Sequence, residues 1–373
     1  MTDLNTTLQQ AIALQKLLHT MPEASGCETK TKETLMAFLK DNSDLELVDC
    51  GSWFYAAHRE NDGEGMALRA DMDAVTGADG RPWHGCGHDG HMSVMAALAA
   101  SLKGEKLGKN LFFLFQPAEE TGAGGALCSA LCNMEKIGCF FGFHNCPGFE
   151  AGHVLLLQDT FACASKGLIL SFKGQQSHAA YPENGRNPVF PMTAFFSHWT
   201  ELTDPKQYKG LVLATPVGMH AGGRNFGVAA GSGEIDLTVR AWYDEDLDKL
   251  TKKVTTLAEE LACQAGVIPE VQEQDVFPAT HNNPALYPLA EEAAERAGLT
   301  TEIPPEPFRW SEDFGHYARR CPSFFCGIGG GLDAAGLHTP DYRWNDKVTE
   351  AALRFFTALI KTGSRMANTN HSK

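Results

Sequence analysis

The sequence has no hydrophobic run long enough to cross a membrane, and it carries little positive charge. Within its 373 residues no stretch reaches about 18 consecutive apolar residues, and the first residues, which include Asp3, lack the apolar core of a signal peptide. Lysine and arginine number 31 against 46 aspartates and glutamates, which gives a formal net charge of −15. We therefore expect neither nucleic acid nor a membrane as a partner.

The cysteines do not follow the pattern of a small disulfide-bonded domain. Their number, 11, is odd, and their spacings show no disulfide framework. Free thiols are typical of reducing compartments. The sequence therefore predicts a cytoplasmic protein.

Length and composition predict a globular chain with about two domains. Hydrophobic residues make up 43% of the chain and charged residues 21%, which is typical of folded proteins. We find no internal repeat and no low-complexity linker. The polar segment from Ser364 to Lys373 is expected to fray.

Potential metal ligands are concentrated between Trp83 and His91, in the sequence Trp-His-Gly-Cys-Gly-His-Asp-Gly-His. Glycine allows backbone conformations that other residues resist, so a tight turn here can aim several side chains at one point. Cys86 and His88 are two residues apart, and on an irregular loop both can face one ion. A thiolate and an imidazole are ligands that zinc prefers. A polar turn with an incidental cysteine is the alternative interpretation.

Two aspartates follow the strand-like run Gly65–Arg69. Asp71 and Asp73 can face the same side, because residues in a strand alternate between its faces. Ligands in α/β proteins bind at the carboxyl ends of sheet strands. The pair is therefore a candidate for a binding site, with a capping or solvated acidic pair as the alternative.

Two glutamates and a histidine follow further predicted strands. The run Leu111–Phe115 is apolar throughout, which predicts a central strand in a covered sheet, and it leads to Glu119 and Glu120. Acidic groups are rarely placed after a buried strand without a partner, and one glutamate can bind a metal while its neighbour transfers a proton. Residues 139–145 repeat the pattern and include His144. Three strand ends with metal-binding side chains indicate a metal site more strongly than any single motif.

The order of predicted elements changes at about residue 166. Between 166 and 274 we predict strand, helix, strand, strand, helix and strand, which is the complete order of a ferredoxin-like unit. The chain on either side has α/β character. The predicted fold class is therefore α/β, with residues 1–165 and 275–373 forming a metal-binding domain and residues 166–274 forming an inserted domain.

Eight short motifs resemble, in content and order, those of the bacterial amidohydrolases in the aminoacylase and carboxypeptidase metallohydrolase family. The branch that they resemble most contains N-acyl-amino-acid amidohydrolases, N-acetyldiaminopimelate deacetylases and plant auxin-conjugate hydrolases. The motifs are His19-x-x-Pro-Glu23, Arg69-Ala-Asp-Met-Asp-Ala74, His84-Gly-Cys-Gly-His-Asp-Gly-His91, Gln116-Pro-Ala-Glu-Glu120, Gly142-Phe-His144, His178-Ala-Ala-Tyr-Pro182, Ser311-Glu-Asp-Phe314 and Leu337-His-Thr-Pro340. The resemblance spans nearly the whole chain.

This resemblance implies a catalytic domain with a site for two divalent metal ions, zinc or manganese, with cobalt or nickel as further options. The implied ligands are Cys86, His88, Glu120, His144 and His338, with the Cys86 thiolate bridging the ions. Glu119 is the implied general base, and Asp73 is the carboxylate that orients the metal site.

The resemblance also implies that the inserted domain is a lid through which two chains form a homodimer. His178 would then assist catalysis from the partner subunit. Asn225 and Arg240 match lid positions that are expected to hold the carboxylate of the substrate.

The activity implied by the resemblance is hydrolysis of the amide bond of N-acyl amino acids, N-acetyl amino acids included, to a carboxylic acid and a free amino acid. The alternative is a dipeptidase or carboxypeptidase that cleaves a peptide bond next to a free carboxylate, and the sequence does not separate the two. A metal-binding regulatory protein without catalysis is a weaker hypothesis, because it predicts a missing base and Glu119 is present.

Some residues depart from the family pattern or have no role in it. Val75-Thr76-Gly77 replaces the usual Leu-Pro in a shortened loop from Ala74 to Arg81, so we expect an unusual substrate preference. His84 and His91 are expected to have structural roles beside the ligands. Cys128 and Cys132 lie four apart on a predicted helix without a second pair, and we interpret them as buried thiols.

Overall fold

A computed structural model describes residues 2–363 of the chain. The predicted polar tail, 364–373, lies outside the described residues. Within the described part, no helix combines the length and apolar character needed to span a membrane. The chain divides into two compact units, of which the second comprises Ala162–Ala279 and Phe308–Glu312 and the first comprises the rest.

The elements are numbered in chain order. The strands of the described chain are β1 (Glu46–Asp49), β2 (Phe54–His58), β3 (Gly65–Asp71), β4 (Val75–Thr76), β5 (Pro82–Trp83), β6 (Asn110–Gln116), β7 (Ile137–Pro147), β8 (Val154–Leu155), β9 (Thr160–Ala162), β10 (Ala164–Lys173), β11 (Ser177–His178), β12 (Val212–Ala221), β13 (Val228–Ala229), β14 (Ser232–Ala241), β15 (Ile268–Phe277), β16 (Thr280–His281), β17 (Thr301–Glu302) and β18 (Ser323–Gly331).

The α-helices of the described chain are α1 (Leu4–His19), α2 (Thr29–Asn42), α3 (His88–Ala100), α4 (Gly124–Cys128), α5 (Leu131–Met134), α6 (Val189–Ser197), α7 (Trp199–Leu202), α8 (Asp244–Gln264), α9 (Tyr287–Arg296), α10 (Gly315–Ala318) and α11 (Asp346–Gly363). Short 3-10 turns occur at Pro182–Asn184, Pro205–Gln207 and Pro284–Leu286.

The first unit is built on a mixed sheet whose centre is parallel. In the described part of the chain, eight strands form this sheet in the order β1-β2-β6-β3-β7-β18-β8-β17. The neighbouring pairs β6–β3, β3–β7 and β7–β18 are parallel, whereas β2 joins β6 antiparallel. The carboxyl ends of four neighbouring strands therefore meet at one edge of the sheet, where α/β proteins bind their ligands.

Both faces of this sheet are covered. In β7, Phe141 packs in the core that includes α1, α3, α9 and α11, whereas the preceding residue, Phe140, stacks on Tyr317 of α10 with ring centroids 4.4 Å apart. Successive strand residues point to opposite faces, so this alternation requires a layer on each side. The prediction that the apolar run Leu111–Phe115 forms a central, covered strand is confirmed, because β6 lies between β2 and β3 and is buried throughout.

The main elements of the second unit follow one another in the order β10, α6, β12, β14, α8, β15, with the short elements β11, α7 and β13 between them. Its four-stranded sheet is antiparallel with the order β12-β14-β10-β15. Helices α6 and α8 pack on this sheet around a separate apolar core. The sheet extends past the predicted limits of 166 and 274, because β10 already begins at Ala164 and β15 ends at Phe277. Residues 308–312 also belong to this unit, where Phe308 forms a bridge with Ala162.

The sequence predicts helices from His91 to Leu102 and from Pro188 to Leu202, and both differ from the helices observed. Helix α3 begins at His88 and not at His91. His88, which was expected to lie with Cys86 on an irregular loop, is therefore already helical. The predicted helix from Pro188 to Leu202 is divided into α6 and α7, because the backbone at His198 (φ −95°, ψ 3°) leaves the helical region.

Candidate metal centre

The carboxyl ends of the four parallel strands carry predicted site residues. Asp73 follows β3, Glu119 follows β6, His144 lies near the end of β7, and His338 follows β18. Cys86 and His88 reach the same edge from the turn that opens α3, where both are buried. Residues far apart in sequence therefore converge because the parallel sheet places its strand ends side by side.

The turn between Cys86 and His88 depends on a left-handed glycine. Gly87 has φ 96°, a conformation that side chains with a Cβ rarely adopt. A Cβ at this position would also lie 2.5 Å from the hydroxyl of Tyr342 and 2.7 Å from Oδ1 of Asn145. Glycine thus lets the chain turn closely enough for the thiol and the imidazole to face the same space.

His88 is held through one ring nitrogen and presents the other to the site. Its Nδ1 lies 3.0 Å from the main-chain oxygen of Asp73 and 3.2 Å from Oδ1 of the same residue, so Nδ1–H donates to Asp73. Its Nε2 is buried and has no hydrogen-bond partner among the described residues. This Nε2 lies 3.7 Å from Glu120 Oε1 and 3.8 Å from Glu119 Oε2. An imidazole held in this way is prepared to bind a metal through Nε2.

His144 is oriented in the same manner. Its Nδ1 lies 2.8 Å from the main-chain oxygen of Asn145, and its Nε2 lies 3.4 Å from the Cys86 sulfur. Burial lowers the pKa of His144 well below its usual range, so the ring is neutral, which is the form that binds metals.

Two groups of donors share Cys86. The ligand atoms of Cys86, His88 and His144 lie within 4.8 Å of one another, and so do those of Cys86, Glu120 and His338. His338 Nε2 lies 3.5 Å from Glu120 Oε1. The structure thus brings together all five ligands implied by the family resemblance, and it places the thiol where the two groups meet.

The donor set fits divalent metal ions. Two ligand atoms about 2.1 Å from one tetrahedral ion lie roughly 3.4 Å apart, close to the observed separations of 3.4 to 3.7 Å. His88 Nε2 and Glu120 Oε1 are buried atoms without hydrogen-bond partners among the described residues, and a cation would satisfy both. Burial and the charge of Glu120 raise the pKa of the Cys86 thiol well above its usual range, so its thiolate needs a neighbouring cation.

Buried carboxylates surround these donors and remain ionised. Burial opposes ionisation of Asp73, but the hydrogen bond from His88 keeps its pKa below the usual range. In Asp71 the charges of His88, His91 and Arg69 likewise outweigh burial and hold the pKa well below its usual value. The carboxylates of Asp71 and Asp73 therefore place negative charge beside the donors, which favours cations there.

A hydrogen-bond chain behind the ligands was not predicted in detail from the sequence. His91 Nδ1 lies 2.8 Å from Asp71 Oδ1, and His91 Nε2 lies 2.7 Å from Asn145 Oδ1. The Asn145 amide donates to the Tyr342 hydroxyl at 2.8 Å. The structural role expected for His91 agrees with this chain. Asp71 and Asn145 had a signal in the sequence, because they lie close to the stronger candidates Asp73 and His144. Nothing in the sequence pointed to Tyr342.

Three predicted site residues belong to the second unit. His178 lies on β11 and is exposed, Asn225 lies on an exposed loop, and Arg240 lies on β14. The Arg240 guanidinium donates to Ser311 Oγ at 2.8 Å and to the main-chain oxygen of Arg309 at 3.2 Å. The roles of these three residues toward a substrate remain predictions.

Thiol, imidazole and carboxylate donors that could hold metal ions thus converge at the carboxyl edge of a mixed α/β sheet. The sequence profile described as Peptidase family M20/M25/M40 matches residues 67–362. The chain belongs to this family.

Individual relatives agree with the family. The chain is similar to an uncharacterised hydrolase of Staphylococcus saprophyticus, with 25% identity over 97% of this chain and 99% of the relative. It is also similar to the N-acetyl-L-cysteine deacetylase of Bacillus subtilis, with 27% identity over 88% of this chain and 82% of the relative. Its fold matches that of a dinuclear metal-binding peptidase of Bacillus subtilis with a TM-score of 0.81, 22% identity and coverage of 97% and 99%.

Proposed function

We propose that the protein hydrolyses the amide bond of N-acyl amino acids, N-acetyl amino acids included, to a carboxylic acid and a free amino acid. The observation that carries the proposal is the position of Glu119, whose Oε2 lies 3.8 Å from the unpartnered Nε2 of the candidate ligand His88. A carboxylate beside a metal-binding donor set is what amide hydrolysis needs as a proton carrier. The similarity to a deacetylase of N-acetyl-L-cysteine favours an acylated amino acid as the substrate.

We propose that Cys86, His88, Glu120, His144 and His338 hold two divalent ions. Ions in this donor set supply Lewis acidity and make a water acidic enough to lose a proton near neutral pH. Cysteine and histidine favour zinc, whereas the carboxylate of Glu120 also admits manganese, cobalt or nickel.

Glu119 is proposed as the general base. Its carboxylate is buried, and its Oε1 accepts a hydrogen bond from the main-chain N–H of Asp313 at 3.4 Å, which leaves Oε2 directed toward His88. In this position it can take a proton from the attacking water and pass it to the nitrogen of the leaving amino acid. Asp73 holds the ring of His88 in the tautomer that exposes Nε2.

We further propose that the second unit supplies the contacts that select the substrate. Arg240 can bind an α-carboxylate through two parallel hydrogen bonds, a geometry that lysine does not offer. Asn225 can donate its amide to the same carboxylate, and His178 of a partner subunit can donate to the oxygen that becomes negatively charged. The hairpin β4–β5, which lies between Asp73 and Cys86 in the chain, is proposed to shape the pocket.

A dipeptidase or carboxypeptidase activity is the alternative, since one structural relative is described as a peptidase. Both activities cleave an amide next to a free carboxylate. The distinguishing experiment measures amine release from a panel of N-acyl amino acids and dipeptides. The protein is purified under reductant and reconstituted separately with zinc, manganese and cobalt. Faster release from N-acyl amino acids supports the proposal, release from dipeptides alone supports the alternative, and no release from either with metal bound contradicts both.

We propose that the second unit acts as an inserted lid and as the dimer contact. Strand β12 is an edge of its sheet and carries no aspartate, glutamate, lysine or arginine, whereas the opposite edge strand, β15, carries Glu270, Glu273 and Asp275. Charged residues on an edge discourage pairing with another chain, and β12 lacks them. Because Pro216 and the bulge beside it interrupt the backbone hydrogen-bonding groups of this strand, we propose that a partner covers its apolar side chains and does not extend the sheet. Val217 of β12 is also 64% exposed, which leaves apolar surface for a partner to cover.

The dimer proposal predicts that the β12 edge of the sheet, and not the β15 edge, forms the contact between the two chains. Val217→Lys is expected to convert the dimer to a monomer in sedimentation velocity. The matched control is Ile268→Lys on β15, where the native side chain is 67% exposed, and this variant is expected to remain dimeric. A monomeric native protein, or loss of the dimer in the β15 variant alone, contradicts the proposal.

A cytoplasmic location is also proposed. All eleven cysteines, buried and exposed, are free thiols in the structure. This state is typical of a reducing compartment. Fractionation of cells that produce the protein tests the location, and its recovery outside the cytoplasm would contradict it.

A further inference from the structure

Two cysteines far apart in the sequence lie side by side in the first unit. The sulfur atoms of Cys132, on α5, and Cys321, just before β18, are 3.9 Å apart, although the residues are separated by 189 positions. Both side chains are partly exposed. Of the two cysteines interpreted as buried thiols, Cys128 is fully buried on α4, whereas Cys132 is only partly buried and contacts Cys321.

The surroundings of this pair favour a reactive thiolate. The hydrogen bond with the Cys321 thiol and the positive charge of Arg320 lower the pKa of Cys132 below its usual value, although burial opposes them. The same pairing raises the pKa of Cys321. Burial instead raises the pKa of Cys128 and Cys146, which keeps them as unreactive thiols.

We propose that Cys132 and Cys321 form an oxidisable dithiol that closes into a disulfide when it meets a peroxide or a low-molecular-weight disulfide. With hydrogen peroxide, the Cys132 thiolate attacks one oxygen, the O–O bond breaks, and a sulfenic acid and one water form once a proton is taken up. The Cys321 sulfur then attacks the Cys132 sulfur, which releases the second water. The two thiols lose two electrons and two protons, and the peroxide is reduced to two waters. With a low-molecular-weight disulfide, the Cys132 thiolate breaks its S–S bond, forms a mixed disulfide and releases one thiol, and the Cys321 sulfur then displaces the second thiol.

Small oxidants can reach this pair without a large rearrangement. The sulfur atoms need to approach by about 2 Å, because a disulfide bond is about 2.05 Å long. Cys132 also lines a surface cavity of about 650 Å³, together with Asn61, Asn110, Glu135 and Lys136. The size of this cavity admits peroxide or a small peptide disulfide.

The pair lies at the opposite edge of the sheet from the candidate metal centre. Cys132 precedes the first residue of β7, Ile137, and Cys321 precedes the first residue of β18, Ser323. These two strands are parallel neighbours, and the metal-binding donors lie toward their other ends. A bridge would therefore connect the two chain segments that lead into the centre of the sheet. It should stabilise the first unit and leave the donors in place.

The test uses the metal-loaded full chain treated with oxidised glutathione, followed by peptide mapping under non-reducing conditions. We expect a peptide pair joined through Cys132 and Cys321, a thermal midpoint higher by several degrees, unchanged amine release, and reversal of the bridge by dithiothreitol. Cys132→Ser and Cys321→Ser should each lose the bridge and the thermal shift. Cys27→Ser, at an exposed thiol elsewhere in the first unit, should keep both.

Other patterns of oxidation would overturn the proposal. These are a stable glutathione adduct on Cys132 without a bridge, a bridge from Cys132 to Cys128, or a bridge from Cys321 to Cys139. Mapping of the native chain alone distinguishes them, so the result does not depend on how well the serine variants fold. Equal thermal shifts in the native protein and in Cys132→Ser would also overturn it.

Discussion

His88 and Asp73 share a hydrogen bond that sets the direction of Nε2, the proposed metal-binding nitrogen of His88. The Nδ1 of His88 lies 3.2 Å from Asp73 Oδ1, while the other carboxylate oxygen, Oδ2, accepts from Ser25 Oγ at 2.7 Å and from the main-chain N–H of Glu120 at 3.0 Å. Asp73 thus connects the segments that carry His88 and Glu120. From this position behind the donors, Asp73 is expected to control how ions are held without binding one itself.

Asp73→Asn should weaken metal binding. An amide nitrogen would replace one of two oxygens that accept hydrogen bonds, so either His88 or the N–H of Glu120 would lose its acceptor. Losses of this kind reduce metal affinity about 10- to 100-fold. Competition with a fluorescent chelator measures the affinity. The exposed residue Asp79 provides the control as Asp79→Asn, and equal affinities in both variants would rule out the orienting role.

His338→Asn should reduce the bound metal from two ions to one per chain. His338 has φ 60°, a left-handed conformation that asparagine tolerates better than most residues, so the backbone should be preserved. The group formed by Cys86, Glu120 and His338 would lose its imidazole, whereas the group with His88 and His144 would remain. Elemental analysis gives the stoichiometry, with His281→Asn as the control. A native ratio of two in His338→Asn would show that His338 is not a ligand.

Glu28 should act as a positioning residue for the loop that carries Glu119. Its buried Oε1 accepts from the main-chain N–H groups of Gly26 and Ala118, each at 2.8 Å, and Ala118 is held at φ 52°. That conformation is unfavourable for alanine and persists only where its surroundings enforce it. Glu28→Ala is therefore expected to lower kcat about tenfold with little change in KM.

The conservative variant separates positioning from a loss of folding. Glu28→Gln keeps an oxygen that can accept both hydrogen bonds and should retain near-native kcat. Steady-state kinetics at matched metal content provides both values. Equal losses in the two variants would contradict the role of this acceptor.

Stability should depend on pH through Lys109. Burial lowers the pKa of Lys109 from 10.5 to about 8, although its ammonium donates to the main-chain oxygen of Ile360 near the end of α11. Between these two pKa values the unfolded chain binds more protons than the folded one, so this group makes stability rise with pH. The free energy of unfolding of the native chain minus that of Lys109→Met should increase by about 2 kcal/mol between about pH 7.5 and about pH 10.

Thermal or urea unfolding at several pH values measures this difference. The exposed residue Lys103 provides the control as Lys103→Met, for which the difference from the native chain should not change with pH. A difference for Lys109→Met that stays constant, or that falls as pH rises, would show that Lys109 is not a strained buried cation.

The parts of the fold that could be predicted are those with a local physical signal. The apolar run in β6 predicted a central strand. Apolar residues that recur at helical spacing between Leu4 and Leu18 likewise predict a helix, which the structure contains as α1. The start of α3 was misplaced because His88 and Asp89 resemble turn residues in sequence, whereas the left-handed Gly87 already ends the turn before them. Local composition does not reveal such a backbone angle.

The residues of the candidate site also divide into those with a local sequence signal and those without one. Its five implied ligands could be named because short motifs carry them, and the parallel strand ends explain why they meet. Contacts that depend on the tertiary fold could not be predicted. Examples are the hydrogen bond from the main-chain N–H of Ala118 to Glu28 and the contact between Cys132 and Cys321. No local spacing or periodicity in the sequence connects the two residues of either pair.

The most direct measurement is amine release from N-acetyl amino acids by the metal-loaded native chain and by Glu119→Gln, with bound metal determined in the same samples. Glutamine has nearly the same shape as glutamate but cannot carry the proton, so kcat should fall by about 10²- to 10⁴-fold while the metal content stays native. The control, Glu291→Gln on the exposed face of α9, should be as active as the native chain. Full activity in Glu119→Gln would contradict the assignment of Glu119 as the base, and no release by the metal-loaded native chain would contradict the proposed reaction itself.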